Sequence, residues 1–349
     1  MTAESSKIDI KDLSRSQLAD WLKGRGRRPF RADQIFSWVY TRQADHFDQM
    51  TNLGKTLRSE LAAAFVNPRL AVQSAVTSQD GSRKLLLRLR DGLQIETVVI
   101  PEKDHFTLCI SSQVGCSQGC RFCLTAQGGL ARNLSTAEII SQVRDVQLQL
   151  QLAGDRPLTN IVFMGMGEPL ANYRNVVQAL DVITDGDIGL KFSTRRVTVS
   201  TAGLVPRMAD LGRDSQVNLA VSLNAADDDT RTRLMPINRT YPIAELMAAC
   251  RRYPLPPRRK ITVEYILMQG VNDGLADARR LVQLLRPIRA KVNLIPFNEH
   301  PGSDFRRPDP SQISRFQELL AEHHYTAIVR HSKGQDIGAA CGQLRANPI

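Results

Sequence analysis

The chain has 349 residues, 42% of them hydrophobic and 23% charged, with 22 glycines and 17 prolines; this is the profile of a soluble folded protein and not of a disordered or collagenous one. No run approaches eighteen apolar residues, and the opening MTAESSKIDIKDL has neither an apolar h-region nor a cleavage site, so a cytoplasmic protein with no membrane partner is expected. Lys and Arg outnumber Asp and Glu by 46 to 35, a net charge of +11; that excess suits a polyanionic partner, although many basic proteins use it for solubility alone.

The first seventy residues read as helical. LADWLKG, ADQIFSWVYTR and GKTLRSELAAAF carry apolar residues three and four apart, around a loop that concentrates Arg25, Arg27, Arg28 and Arg31. A small helical accessory domain over 1–70, with an RNA-binding role, is expected. A second basic stretch holds Arg251, Arg252, Arg258, Arg259 and Lys260. From 71 to 101 the runs AVQSAVTS, KLLLRLRD and IETVVIP are short, rich in branched residues and split by QDGS and DG, which predicts a small antiparallel sheet, a β-rich connector to the larger domain beyond it.

From 102 to 334 strands and helices alternate. FTLCISS, NIVFM, RVTVS, VNLAVSL, ITVEYILM and KVNLIPF are each followed by a helical pattern, and TAIVR closes the series. Six βα units imply an α/β fold with a parallel sheet, a partial (β/α)6 barrel of TIM type, whose chemistry lies at the strands' C-terminal ends. Ser135 and Glu138 resemble a capping box, which starts the first crossover helix and places the preceding cysteines on the loop between first strand and first helix. Residues 335–349 form a C-terminal segment.

That loop carries Cys116, Cys120 and Cys123 as C-x3-C-x2-C. Three thiolates so close can hold three irons of a 4Fe-4S cube and leave the fourth iron open. The alternative is a zinc site completed by Cys109 or a distant histidine, although zinc ribbons more often pair two C-x2-C elements. The triad, with Phe122 before its third cysteine, resembles the radical S-adenosylmethionine (SAM) superfamily, whose members bind SAM on the open iron. M-G-M-G-E-P at 164–169 is similar to that superfamily's G-G-E-type motif: glycines let the backbone pass close to a ligand, and Glu168 offers a carboxylate to the SAM ammonium. Gly167 and Glu168, then Ser200, Ser222, Leu223, Asn224 and Asn298, stand at the same edge of successive strands, a suitable lining for ribose, carboxylate and adenine.

From IETVVIPEKDHFTLCISSQVGCSQGCRFCLTAQGGLARNL through MGMGEP to IVRHSKGQDIGAACGQL, and over essentially the whole chain, the sequence resembles the RlmN family within the RlmN/Cfr group. The resemblance implies methylation of adenine C2 in 23S rRNA, at the peptidyl transferase centre, and beside the anticodon in tRNA, with two SAM per turnover. It assigns Cys341 as the methyl carrier, forming S-methylcysteine, and Cys109 as the resolving thiol, forming a transient disulfide with Cys341. Glu96 matches the family's proton acceptor. A monomer served by an electron donor such as flavodoxin with its reductase is implied as well. Asn224 stands where many relatives carry histidine. Thr125, Ala126 and Gln127 after the triad resemble RlmN more than Cfr-type adenine-C8 methyltransferases. A non-catalytic zinc-dependent RNA-binding protein would account for charge and cysteines but not for MGMGEP or Cys341, and a glycyl-radical activating enzyme would have no use for a basic helical domain. Cys250 reads as helix packing.

Overall fold

Ten strands pair into one mixed sheet in the computed structural model of the chain, which describes residues 7–346. They are β1 Ala71–Thr77, β2 Arg83–Arg88, β3 Gln94–Pro101, β4 Phe106–Cys109, β5 Leu158–Phe163, β6 Val197–Thr201, β7 Asn218–Ser222, β8 Ile261–Leu267, β9 Ala290–Pro296 and β10 Ala327–Val329. Each lies beside its neighbour in sequence. From β4 onward all pairings are parallel, linked by helices α1 Thr136–Leu152, α2 Tyr173–Thr184, α3 Val205–Asp214, α4 Ile243–Arg252, α5 Leu275–Leu285 and α6 Pro310–Glu322. The six βα units and closing strand follow the alternation in the sequence, and with β1 and β10 at opposite edges the barrel stays open.

The antiparallel strands are not a separate sheet. β3 joins β4 with Val98 opposite Cys109 and Ile100 opposite Thr107, so β1–β3 extend the barrel sheet outward. The reason lies in β3, where consecutive residues Ile95 to Val99 are all buried: a strand covered on both faces needs neighbours on both edges. β1 at the rim is exposed throughout.

The N-terminal helices Arg15–Lys23, Arg31–Phe36 and Lys55–Ala64 pack into the same hydrophobic core as the barrel, with Leu18, Ile35 and Tyr40 in one cluster with Ile139 and Val143 of α1. α1 starts on the expected capping box: the Glu138 N–H donates to Ser135 Oγ at 3.3 Å, and the Ser135 N–H to Glu138 Oε2 at 2.8 Å. Its Arg144 is fully buried and ties the helical layer down, donating to the carbonyls of Val39 (3.0 Å) and Ala44 (2.8 Å) and to Asp45 (2.9 Å) and Asp145 (3.2 Å). Arg144→Met removes the cation and strips donors from the buried Ala44 carbonyl, the Val39 carbonyl and the buried Asp145, while Arg69 still pairs with Asp45 and Asp145. A stability loss of about 2–3 kcal/mol is therefore expected, read as a lower urea midpoint at unchanged slope. No helix among the described residues is long and apolar enough to cross a membrane. Cys250 is buried in the core on α4, as helix packing requires.

Candidate active site

The cysteine loop is pinned at its base. Gln113–Gly115 pairs antiparallel with Leu130–Asn133, and the Cys116 N–H donates to the Gly129 carbonyl at 2.8 Å. Gly115 has φ +80°, and a Cβ there would lie 2.0 Å from the Gly129 oxygen, so only glycine lets the two arms meet. Cys116, Cys120 and Cys123 line one chamber at the C-terminal ends of the parallel strands. Burial pushes the Cys116 thiol up to about 12 and raises Cys120 and Cys123 also, with the neighbouring thiols adding to the shift at each of the three. Cys109 faces a different cavity, and no histidine lines the chamber, although His300 Nε2 lies 3.4 Å from the Phe122 carbonyl beside the triad. Among the described residues no three His, Cys, Asp or Glu side chains converge on a point that suits a single metal ion. Three thiols on one loop could hold three irons of a 4Fe-4S cube, and a fourth thiol, Cys341, lines the same chamber from the C-terminal segment.

Opposite the triad, Glu168 is buried and its carboxylate accepts the Leu170 N–H at 3.0 Å and the Ala202 N–H at 2.7 Å, bridging the loops after β5 and β6. Burial raises its carboxyl while those bonds oppose the rise. With the Thr201 side chain hydrogen-bonded to it as well, the carboxylate keeps room for a further donor. Gly167 lines the chamber too, and its φ of +100° lets the turn close on the chain: a Cβ would sit 2.5 Å from Gln113, whose Oε1 accepts the Glu168 N–H at 2.8 Å. Ser200, Ser222 and Asn224 line the chamber. Asn224 holds a left-handed φ of +57°, a conformation asparagine tolerates, and spends its amide on the Ile266 N–H (2.9 Å) and Met235 sulfur (3.3 Å). Leu223 and Asn298 do not line it: the Leu223 side chain is fully buried, and Asn298 donates to the Cys341 carbonyl at 3.0 Å while accepting from Gln335 at 2.9 Å.

Cys341 stands between two cavities, the chamber of the cysteine triad and a second one that holds Cys109. Both are free thiols. Burial pushes Cys109 up to about 12, against the pull of the Arg330 guanidinium. The segment bearing Cys341 is strapped across the barrel mouth. The Leu124 N–H donates to the Gly342 carbonyl (2.8 Å), Thr125 Oγ1 to the Leu344 carbonyl (2.6 Å) and the Arg345 N–H to Glu96 Oε2 (2.6 Å). Further back, Asp336 accepts from Ser78 (2.6 Å) and the Gln79 N–H (3.1 Å).

Residues 8–66 match the family described as ribosomal RNA large subunit methyltransferase N-terminal domain, and residues 110–282 match the radical SAM superfamily. A curated dual-specificity RNA methyltransferase RlmN of Desulfosudis oleivorans is 59% identical over 347 residues, covering 99% of this chain and 93% of its own. Its namesake in Geobacter sulfurreducens is 56% identical, over 97% of this chain and 92% of its own. The chain belongs to the RlmN family. A solved radical SAM methyltransferase from Sphaerobacter thermophilus superposes with a TM-score of 0.90 at 46% identity, covering 97% of this chain and all of that one.

In this RlmN-family chain Glu96 is 4% exposed and lines neither cavity. Its Oε1 pairs with Lys84 Nζ at 3.1 Å, and its Oε2 receives the strap. Sequence reasoning missed Glu264 and Arg330, both of which line the chamber. The signals were a lone charge inside the apolar strand ITVEYIL and an arginine ending TAIVR.

Proposed function

We infer that the chain is an RNA methyltransferase that carries a SAM-derived methyl group on Cys341 to C2 of an adenine, in 23S rRNA and in tRNA. The placement of Cys341 supports this most directly, because one thiol at the junction of two cavities can meet SAM on one side and exchange with Cys109 on the other. Cys116, Cys120 and Cys123 would hold a 4Fe-4S cluster, which would supply the electron needed to split SAM into methionine and a 5′-deoxyadenosyl radical. Glu168 holds the SAM ammonium, and Ser200, Ser222 and Asn224 border its remaining polar groups. Asn298, Thr125 and Glu96 fix the strap and so the position of the Cys341 sulfur. As thiolate, that sulfur first displaces the methyl group from a SAM sulfonium, forming S–CH3 with S-adenosylhomocysteine leaving. Loss of a hydrogen atom from S–CH3 to the 5′-deoxyadenosyl radical leaves a methylene that adds to C2, and the adduct gives up one electron to an external acceptor and the C2 proton to a base. The Cys109 thiolate then attacks the Cys341 sulfur. An S–S bond forms, the S–CH2 bond breaks with its electron pair going to the methylene, which takes up a proton to become methyl, and an external reductant resets the pair.

The N-terminal layer supplies RNA grip. Arg25 and Arg28 are exposed, Arg25 lying 4.0 Å over the Trp21 ring, whereas Arg27 is engaged by Glu60 at 2.5 Å. Exchanging Arg25 and Arg28 for Gln should weaken RNA binding and shallow its salt dependence by up to two phosphate contacts, measured by filter binding across a salt series. The activity itself is tested by supplying reconstituted protein with SAM, dithionite and a 23S rRNA transcript, then analysing the nucleosides by mass spectrometry. 2-Methyladenosine is the expected product; 8-methyladenosine, or none, overturns the reading.

A further inference from the structure

One carboxylate in the chamber has no task in the methyl-transfer scheme. Glu264 lies mid-strand on β8, in register with Ser222 on β7 and Asn293 on β9. It is 5% exposed, and Asn293 Nδ2 donates to its Oε1 at 3.0 Å. The other oxygen, Oε2, is buried without any hydrogen-bond partner in the protein, yet the residue lines the chamber shared by the cysteine triad and Cys341. No ion pair relieves it among the described residues. Arg330 lines the same chamber, but its guanidinium reaches the Met164 sulfur at 4.0 Å instead. An orphaned carboxylate oxygen costs stability, so its retention in a ligand chamber calls for a ligand that donates to it.

We propose that Glu264 Oε2 is the chamber's acceptor for an adenosine, taking a hydrogen bond from an exocyclic amine or a ribose hydroxyl. The proposal rests on the RNA methyltransferase function, which brings two adenosines into this chamber, that of SAM and that of the RNA target. Asn293 aims the carboxylate by holding its other oxygen, and the row Ser222, Glu264, Asn293 spans three adjacent strands as one polar band on the chamber side. Burial raises the Glu264 carboxyl, with Arg330, the Asn293 bond and Lys291 opposing; a donor placed on Oε2 would add to that opposition.

The experiment uses reconstituted full-length protein and Glu264→Gln. Glutamine keeps the volume and can still accept from Asn293 through its amide oxygen, which turns an N–H2 group toward the chamber where an acceptor stood. Two arms separate the sources: equilibrium dialysis with radiolabelled SAM, and filter binding of a tRNA transcript carrying the target adenine. A loss of tenfold or more in one arm assigns the oxygen to that adenosine, and losses in both mean that it serves each in turn. SAM and RNA affinities both within twofold of wild type overturn the proposal, and so does a turnover defect with both affinities unchanged, which would make Glu264 a proton-transfer group. Glu264→Asp, with its carboxylate drawn back by one methylene, decides the matter should the glutamine variant not fold: affinities equal to wild type in both arms overturn the proposal, and a loss in either supports it. Wild type run alongside keeps the two readings apart, since wild type that forms no methyladenosine fails the function, whereas active wild type with an indifferent Glu264→Gln fails only the role of this residue.

Discussion

Cys109→Ala produced in cells is expected to run on a denaturing gel as a band shifted by bound RNA and collapsed by nuclease, while Cys341→Ala shows none. The two thiols share a cavity, but the scheme gives them unequal work. Without Cys341 no methyl is carried and no link forms. Without Cys109 the carrier still couples to adenine, and the adduct has no thiolate to break it. If both cysteines merely packed, each change would cost about 1 kcal/mol or somewhat more, and both variants would turn over. The wild-type adduct carries a further expectation. Cys109 is pushed up to about 12 by burial, so at neutral pH the thiol form predominates. Since the thiolate is the attacking form and its fraction grows tenfold per pH unit below that value, adduct release should accelerate with rising pH at a logarithmic slope near one. A flat profile would mean that Cys109 is deprotonated in the adduct or is not the attacking group.

Anaerobically reconstituted wild type is expected to be brown and to hold about four irons per chain, and Ala at Cys116, Cys120 or Cys123 to abolish most of that iron. The fold should survive, because these side chains sit on a loop closed independently by the Gln113–Gly115 and Leu130–Asn133 pairing and each truncation removes only a small buried group. Circular dichroism of the colourless variants checks that separation. Stoichiometric zinc without visible absorption in the wild type would end the radical scheme altogether.

Much of this was legible in the sequence because local chemistry carried it. Alternating βα runs announced the open barrel, Ser135 and Glu138 announced the start of α1, and the cysteine spacing announced its own loop. What stayed hidden depends on contacts between distant residues. The edge strands β1–β3 read as a bridging sheet, since nothing local reveals that Val98 will face Cys109. Asn298 looked like a lining residue because it follows a strand end, but its amide turns to the Cys341 carbonyl and Gln335. Glu96 looked like one more strand residue apart from its family match; its burial comes from Lys84 and the strap, the latter 249 residues further on. Glu264 went unread because a charge in a strand is most often a solvated one, and only the packed barrel shows which face it takes.

The strap also fixes the order in which the molecule is completed. Its anchors at Ser78, Glu96 and Thr125 precede their partners by 258, 249 and 219 residues, so each closes a loop spanning most of the chain, the contacts that a folding polypeptide makes late. The cysteine loop, by contrast, is clamped by neighbours within about twenty residues and can form early. Between those two events the newly made barrel stands with its thiols shaped but uncovered. The chamber therefore stays open to bulk solvent until the strap bearing Cys341 is laid down, and that segment is the seal that closes it.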